Sequence, residues 1–210
     1  MKVKKLLFYL LAAFLGGCIP VMSLHSLYTE ENVVFEEKLL GTWVDDPNSP
    51  EVIWEFTHID EPKNAYKLIF SDDKGKGSFV AHLVKLRNRL FLDVYPGELP
   101  WEPDDPNKEV KWLYNVFFLV PVHTFIKVDS IEPQLKMRLT NDDKMEELLK
   151  EDPNAVKHTS IEDMLILTAS TKELQAFVLK YADDNRVFTN EVVLNRRETE
   201  KPNTPKAIEP

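Results

Sequence analysis

Apolar and polar side chains alternate along much of this chain, in short runs that are separated by turn residues. The clearest runs place their apolar residues at Val52, Trp54 and Phe56 and then at Tyr66, Leu68 and Phe70. A period of two predicts strands with one buried face. Further strands are predicted over 78–86, 90–95, 112–128, 134–139, 164–168 and 187–194. Many short strands with turns between them are typical of an antiparallel barrel or sandwich.

Three segments show the spacing of short helices instead, namely 30–40, 142–150 and 171–181. In the last of them, Ser170 and Glu173 have the spacing of a capping box, and an apolar stripe follows. The stripe consists of Leu174, Phe177, Val178 and Tyr181. The predicted fold class is therefore mainly β (α+β), an antiparallel barrel or curved sheet with two or three short helices.

The first eighteen residues follow a different pattern. A basic start is followed by the apolar run Leu6–Leu15 and two glycines, an order typical of a secretory signal and too short to span a bilayer. The stretch Leu15-Gly16-Gly17-Cys18 resembles the lipobox of bacterial lipoproteins. The resemblance implies that residues 1–17 are a signal peptide, that they are removed, and that Cys18 becomes an acylated N-terminus held in a membrane. The alternatives are an ordinary signal peptide with a chance cysteine and a hydrophobic N-terminal helix.

The remaining chain divides into three predicted parts. Residues 18–29 have no apolar period and are interpreted as a lipidated tether. Residues 30–197 carry the strands and helices and form a single barrel-like domain. Residues 198–210 contain three prolines and no apolar period, which predicts a disordered tail.

The charge of the mature chain limits its partners. Removing residues 1–17 leaves 193 residues and takes away three lysines, so the formal net charge changes from −9 to −12. Phosphate backbones and anionic headgroups repel such a domain, which argues against nucleic acid and leaves the lipid anchor to hold the protein at the membrane. With one cysteine, the chain can form no intrachain disulfide.

The stretch Leu40-Gly41-Thr42-Trp43 resembles the Gly-x-Trp start of lipocalins and other calycin barrels. In that family a short helix precedes the motif, and the tryptophan closes the base of the barrel under an arginine from the last strand. The resemblance implies a lipocalin-like β-barrel in which Arg196 or Arg197 lies over Trp43.

Longer stretches resemble a group of uncharacterised bacterial lipoproteins, among them 40–44, 91–96, 123–128 and 167–177. That group has no assigned activity, so the resemblance implies only the anchor and the fold. Residue 19 is isoleucine. In the Gram-negative lipoproteins that this chain resembles, an aspartate at the corresponding position signals retention in the inner membrane. The expected location is the cell envelope, and the outer membrane facing the periplasm if the source has two membranes.

Aromatic residues on the inner strand faces are the first candidates for ligand contacts. They are Trp54, Phe56, Tyr66 and Phe70. Large aromatic side chains can line a pocket or fill a core equally well. Trp101 lies in the Pro-rich stretch 96–106, which is predicted to be a loop that either covers the barrel or stiffly connects two strands.

Polar residues within apolar strands are the second group of candidates. If their strand faces point inward, His82, Asp93 and His123 could meet in a cavity. Buried polar groups need partners, so this trio predicts either a satisfied core network or a ligand site.

The sequence contains no nucleophile elbow, no phosphate-binding glycine loop and no paired histidines of a zinc hydrolase. No catalytic residue, metal site or cofactor is predicted. Three functional classes remain: a binding module for a small apolar ligand, an envelope interaction protein with a filled core, and, less favoured, a hydrolase. The state of the barrel interior, hollow or filled, separates the first two.

Overall fold

The computed structural model describes residues 21–97, 120–161 and 164–197. Within these residues it has twelve strands, two α-helices and one short 3-10 helix. The strands are β1 (Met22–Ser23), β2 (Val33–Val34), β3 (Gly41–Val44), β4 (Ile53–Ile59), β5 (Ala65–Asp72), β6 (Gly75–Leu86), β7 (Arg89–Pro96), β8 (Thr124–Ser130), β9 (Gln134–Thr140), β10 (His158–Ile161), β11 (Met164–Leu167) and β12 (Phe188–Arg196). The helices are α1 (Asp142–Glu151), α2 (Thr171–Lys180) and the 3-10 helix Glu37–Leu39.

Eight of the strands close into an antiparallel barrel. Their order is β6-β5-β4-β3-β12-β9-β8-β7, and β7 pairs back with β6 from Arg89 to Pro96. The short β2 pairs with β6 next to the first residue of β5, since β2 contacts Leu83 and Val84 and Ala65 of β5 pairs with His82. The predicted fold class, a mainly β chain with a lipocalin-like barrel and two short helices, is confirmed.

Side chains that alternate along the barrel strands enter two separate apolar cores. The inner core lies within the barrel and includes Phe56, Leu83 and Met137. The outer core lies between the outer faces of β6 to β8 and the layer that covers them, and it includes Phe91 and Phe188. The barrel wall therefore has apolar packing on both of its faces in this region.

The covering layer consists of α1, α2 and a small sheet in which β11 pairs with both β10 and β1. The predicted capping box of α2 is present, since the Glu173 carboxylate accepts a hydrogen bond of 2.9 Å from the Ser170 backbone N–H. Three residues of its predicted stripe are buried, namely Leu174, Phe177 and Val178. Helix α2 therefore packs its apolar stripe against the outer face of the barrel wall, as predicted.

The end of the barrel at which β8 turns into β9 is closed by the fully buried Trp43. The Arg196 guanidinium, from the end of β12, lies 4.2 Å from the centre of the Trp43 ring. It also donates a hydrogen bond of 2.7 Å to the Leu40 carbonyl. Gly41 has a φ of +114°, and a Cβ there would lie 2.8 Å from Arg196 Nη1. The predicted position of Trp43 and Arg196 is confirmed, and it explains why glycine stands before this tryptophan.

Two predictions for the N-terminal part of the chain are wrong. Residues 21–29 are not a free tether, because Met22–Ser23 pairs in parallel with β11 and both Val21 and Leu27 are buried. Residues 30–40 do not form one amphipathic α-helix but contribute β2 and the three-residue 3-10 helix Glu37–Leu39. In both cases the structure is determined by pairing with a strand that is distant in the sequence. The local sequence pattern does not indicate which strand that is.

Strand boundaries elsewhere differ less. The long strand predicted over 112–128 begins at Thr124, and its part before residue 120 lies outside the described residues. Strand β10 was not predicted, because His158 to Ile161 has no apolar alternation. The predicted signal peptide, Cys18, the Pro-rich stretch from residue 98, Trp101 and the predicted tail also lie outside the described residues.

Candidate functional site: an apolar cavity in the barrel

The four aromatic residues predicted for the inner strand faces do share the barrel interior. Trp54 pairs in register with Phe70, and their ring centres lie 5.3 Å apart in an edge-to-face arrangement. Phe56 and Tyr66 meet edge to face at 6.2 Å. These contacts put the two pairs at different levels of the barrel, because Phe56 and Tyr66 come two or more residues further toward the β4–β5 turn.

The deeper pair fills the barrel. Phe56 and Tyr66 are fully buried. The Tyr66 hydroxyl accepts a hydrogen bond of 2.6 Å from the Glu36 N–H and donates one of 3.2 Å to the Glu36 carbonyl. Burial raises the pKa of Tyr66 to about 12. Tyr66 therefore joins the chain before β3 to the inner core as a packing residue.

The other pair borders an apolar cavity of about 310 Å³. The cavity is lined by Trp54, Leu68, Phe70, Phe79, Val94, Thr124, Ile126, Leu139 and Thr140. These residues come from the first half of β4, β6 and β8 and from the middle or second half of β5, β7 and β9, so the cavity lies at the end of the barrel opposite the β8–β9 turn. None of these lining residues has an ionisable side chain.

Two polar atoms in this lining lack a hydrogen-bond partner among the described residues. They are the indole nitrogen Nε1 of Trp54 and the hydroxyl Oγ1 of Thr124, and both are buried. The other threonine of the lining differs, because Thr140 Oγ1 accepts a hydrogen bond of 3.2 Å from the Val21 N–H. Buried polar groups are nearly always paired in proteins, so the unpaired donor and hydroxyl are features that need a reason.

His82, Asp93 and His123 do meet, but on the outer face of the barrel. His82 pairs in register with Asp93, and both are buried beneath the N-terminal segment. The condition under which they would meet in a cavity within the barrel, that their strand faces point inward, is not met. On β6 and β7 their neighbours Ala81, Leu83, Leu92 and Val94 point inward instead. Strand parity thus separates the trio from the aromatic cavity.

Asp93 is the centre of this outer cluster. One of its oxygens accepts a hydrogen bond from the Leu27 N–H, and the other lies 2.6 Å from His123 Nδ1. Tyr28 stacks on the His82 ring with 3.9 Å between ring centres. His123 is also joined to Ser23 by two backbone hydrogen bonds of 2.8 and 2.9 Å. The cluster therefore fastens residues 23–28 to the barrel wall.

The electrostatics of the cluster suit a packed network. Burial lowers the pKa of His82, although the nearby Asp93 opposes this shift. Burial, together with Asp93, raises the pKa of Tyr28. Among the described residues, no three His, Cys, Asp or Glu side chains are arranged to hold a metal ion. Of the two roles that the sequence left open for this trio, the geometry favours the core network, in which both Asp93 oxygens are paired and the buried His82 Nδ1 has no hydrogen-bond partner among the described residues.

Sequence reasoning missed most of the cavity lining. Leu68 was placed on the correct strand face, but Phe79, Val94, Ile126 and Leu139 were not singled out. Alternation does mark Leu139 in β9, where Lys136 and Arg138 lie on the other face. Strands β6 and β7 are apolar on both faces, so their pattern does not say which face is inside.

No protein-family model, curated protein or solved structure matches this chain. In the part of the chain that is described, no helix has both the length and the apolar character needed to cross a bilayer.

Proposed function

We propose that this protein is a lipid-anchored barrel of the bacterial cell envelope that binds a small apolar ligand in the cavity beside Trp54 and Phe70. The observation that carries the proposal is the apolar cavity of about 310 Å³ within the barrel. The anchor is supported by the lipobox-like stretch Leu15-Gly16-Gly17-Cys18.

The size and lining of the cavity favour binding over a filled core. One water occupies about 30 Å³, and an engineered apolar cavity of about 150 Å³ is known to stay dry and to bind benzene. Ligand pockets usually measure about 300 to 1,000 Å³ and are mostly apolar. The cavity is open at the end of the barrel and is therefore large enough for a ligand of up to about three aromatic rings.

The inner core explains how a hollow end can be stable. Trp43, Phe56 and Tyr66 are fully buried at the filled levels of the barrel. They supply apolar burial on the order of 1.5–3 kcal/mol for each large side chain, so the fold does not depend on filling the other end. An interaction protein with a filled core would have no such division.

A titration with N-phenyl-1-naphthylamine, a neutral apolar dye that fluoresces when it leaves water, tests the proposal. The purified domain should bind the dye in a saturable way. Val94→Phe adds a ring at a buried position of the lining and should weaken dye binding about tenfold or more by occupying the cavity.

The matched control is Val193→Phe, the same substitution on the outer face of β12, where the side chain is 36% exposed. It should leave dye affinity unchanged. Thermal unfolding of both variants shows whether each is folded. Absence of saturable dye binding, or equal binding by wild type and a folded Val94→Phe, would overturn the proposal in favour of an envelope interaction protein with a closed core.

A further inference from the structure

We propose that the ligand carries one neutral hydrogen-bond acceptor, such as a ketone, ester or ether oxygen, which bonds to Trp54 Nε1 and Thr124 Oγ1. This inference rests on the proposed function and specifies the chemical class of ligand that the cavity takes.

The first step is the energetic cost of the unpaired atoms. Trp54 Nε1 is a donor only, and Thr124 Oγ1 can both donate and accept. Neither has a partner among the described residues. A buried polar group without a partner costs on the order of 1–3 kcal/mol, whereas a pair formed with a ligand removes that cost. A ligand made only of hydrocarbon would leave both atoms unsatisfied.

The second step is the number of acceptors required. An indole N–H needs an acceptor, and the Thr124 hydroxyl can turn its hydrogen toward the same oxygen. Both residues line one cavity, Trp54 from β4 and Thr124 from β8 on the opposite side of the barrel. A carbonyl oxygen has two lone pairs, so an acceptor held between these two strands can bond to both atoms.

The third step concerns charge. The lining residues given above include no lysine, arginine or histidine. Burying a carboxylate without a compensating charge is far more costly than burying a neutral carbonyl. The chain also carries a formal net charge of −9, which disfavours anions in general. The cavity therefore selects a neutral acceptor against a carboxylate.

Three compounds with the same nine-carbon skeleton test the inference by displacing N-phenyl-1-naphthylamine. They are propylbenzene, propiophenone and 3-phenylpropanoate. The decisive quantity is the ratio of the propylbenzene Kd to the propiophenone Kd, compared between wild type and Thr124→Val. Loss of one hydrogen bond should lower this ratio roughly three- to tenfold in Thr124→Val.

Thr57→Val is the matched control, because it makes the same substitution at an exposed position on the outer face of β4, away from the cavity. It should leave the ratio unchanged. Trp54→Phe should lower the ratio as Thr124→Val does. At pH 7, 3-phenylpropanoate should bind at least about tenfold more weakly than propiophenone.

The outcomes separate the two proposals. If the dye does not bind to wild type, the proposed function is wrong. If the dye binds but the ratio is the same in wild type, Thr124→Val and Trp54→Phe, the cavity binds apolar ligands without an acceptor contact and this inference is wrong. If 3-phenylpropanoate binds as tightly as propiophenone, the selection for a neutral group is wrong.

Discussion

At the scale of single residues, the closed end of the barrel depends on Arg196 lying over Trp43. Trp43→Ala should lower the free energy of unfolding by about 3–5 kcal/mol, as is usual for a fully buried large aromatic residue. Arg196→Lys should cost less, because it loses the bond to the Leu40 carbonyl but keeps a positive charge near the ring. Urea denaturation measures both. A Trp43→Ala cost below about 1 kcal/mol would contradict this account of the closed end.

His82 makes stability depend on pH. Its pKa in the folded protein lies below the ordinary value near 6.5, chiefly because of burial. As pH falls below about 6.5, the unfolded chain takes up a proton that the folded chain does not, so the folded state loses stability. His82→Phe keeps an aromatic ring against Tyr28 and should reduce the loss of unfolding free energy between pH 7 and pH 5.

The same substitution at His58, a half-exposed residue at the end of β4, controls for the removal of one histidine. Urea denaturation at both pH values gives the comparison. The account would be contradicted if His82→Phe showed the same loss as the wild type. The neighbours of His82, namely Asp93, His123 and Tyr28, are not substituted in either variant.

At the scale of elements, the segment from Val21 to Tyr28 is a structural part of the domain. Leu27 is fully buried, and its backbone N–H binds Asp93. Leu27→Ala should lower the free energy of unfolding by about 2–5 kcal/mol. Leu24→Ala, three residues earlier at a side chain that is 43% exposed, should change it by less than about 0.5 kcal/mol. If Leu27→Ala and Leu24→Ala lower the free energy of unfolding by similarly small amounts, the segment is a tether.

The elements show how far the sequence alone could be interpreted. Helix α2 was predictable because its cap, stripe and length are all local signals. Strands β4 and β5 were predictable because only one face of each is strongly apolar. Strands β1 and β2, with two residues each, form only because β11 and β6 offer an edge, and no local pattern reports such a partner.

The candidate site was predictable only in part, for a related reason. Trp54 and Phe70 could be placed inside, since their strands alternate clearly. The side on which His82 and Asp93 lie could not be determined, because Leu83, Val84, Phe91 and Leu92 make both faces of β6 and β7 apolar. The outer face of β6 and β7 is apolar because it packs against α2 and the rest of the outer core, whose residues are distant in the sequence.

At the scale of the whole molecule, the proposed lipid anchor can be tested directly. Cys18→Ser removes the thiol that would be acylated, so the domain should appear as a soluble protein or retain its first seventeen residues. Membrane fractionation and metabolic labelling with a fatty acid give the result. If Cys18→Ser protein is cleaved and still remains in the membrane fraction, the proposal that the protein is a lipoprotein anchored at Cys18 is wrong.

If Cys18 is anchored as we propose, the pairing of β1 with β11 also limits the distance between the domain and the membrane. Only three residue steps separate Cys18 from Val21, where the chain enters the domain, and fully extended they span at most about 11 Å. The polar headgroup region of one leaflet is roughly 5–8 Å thick. With Cys18 anchored as we propose, the domain therefore lies directly on the lipid surface and its rotation relative to the membrane is restricted. The side of the domain that carries Val21 faces that surface.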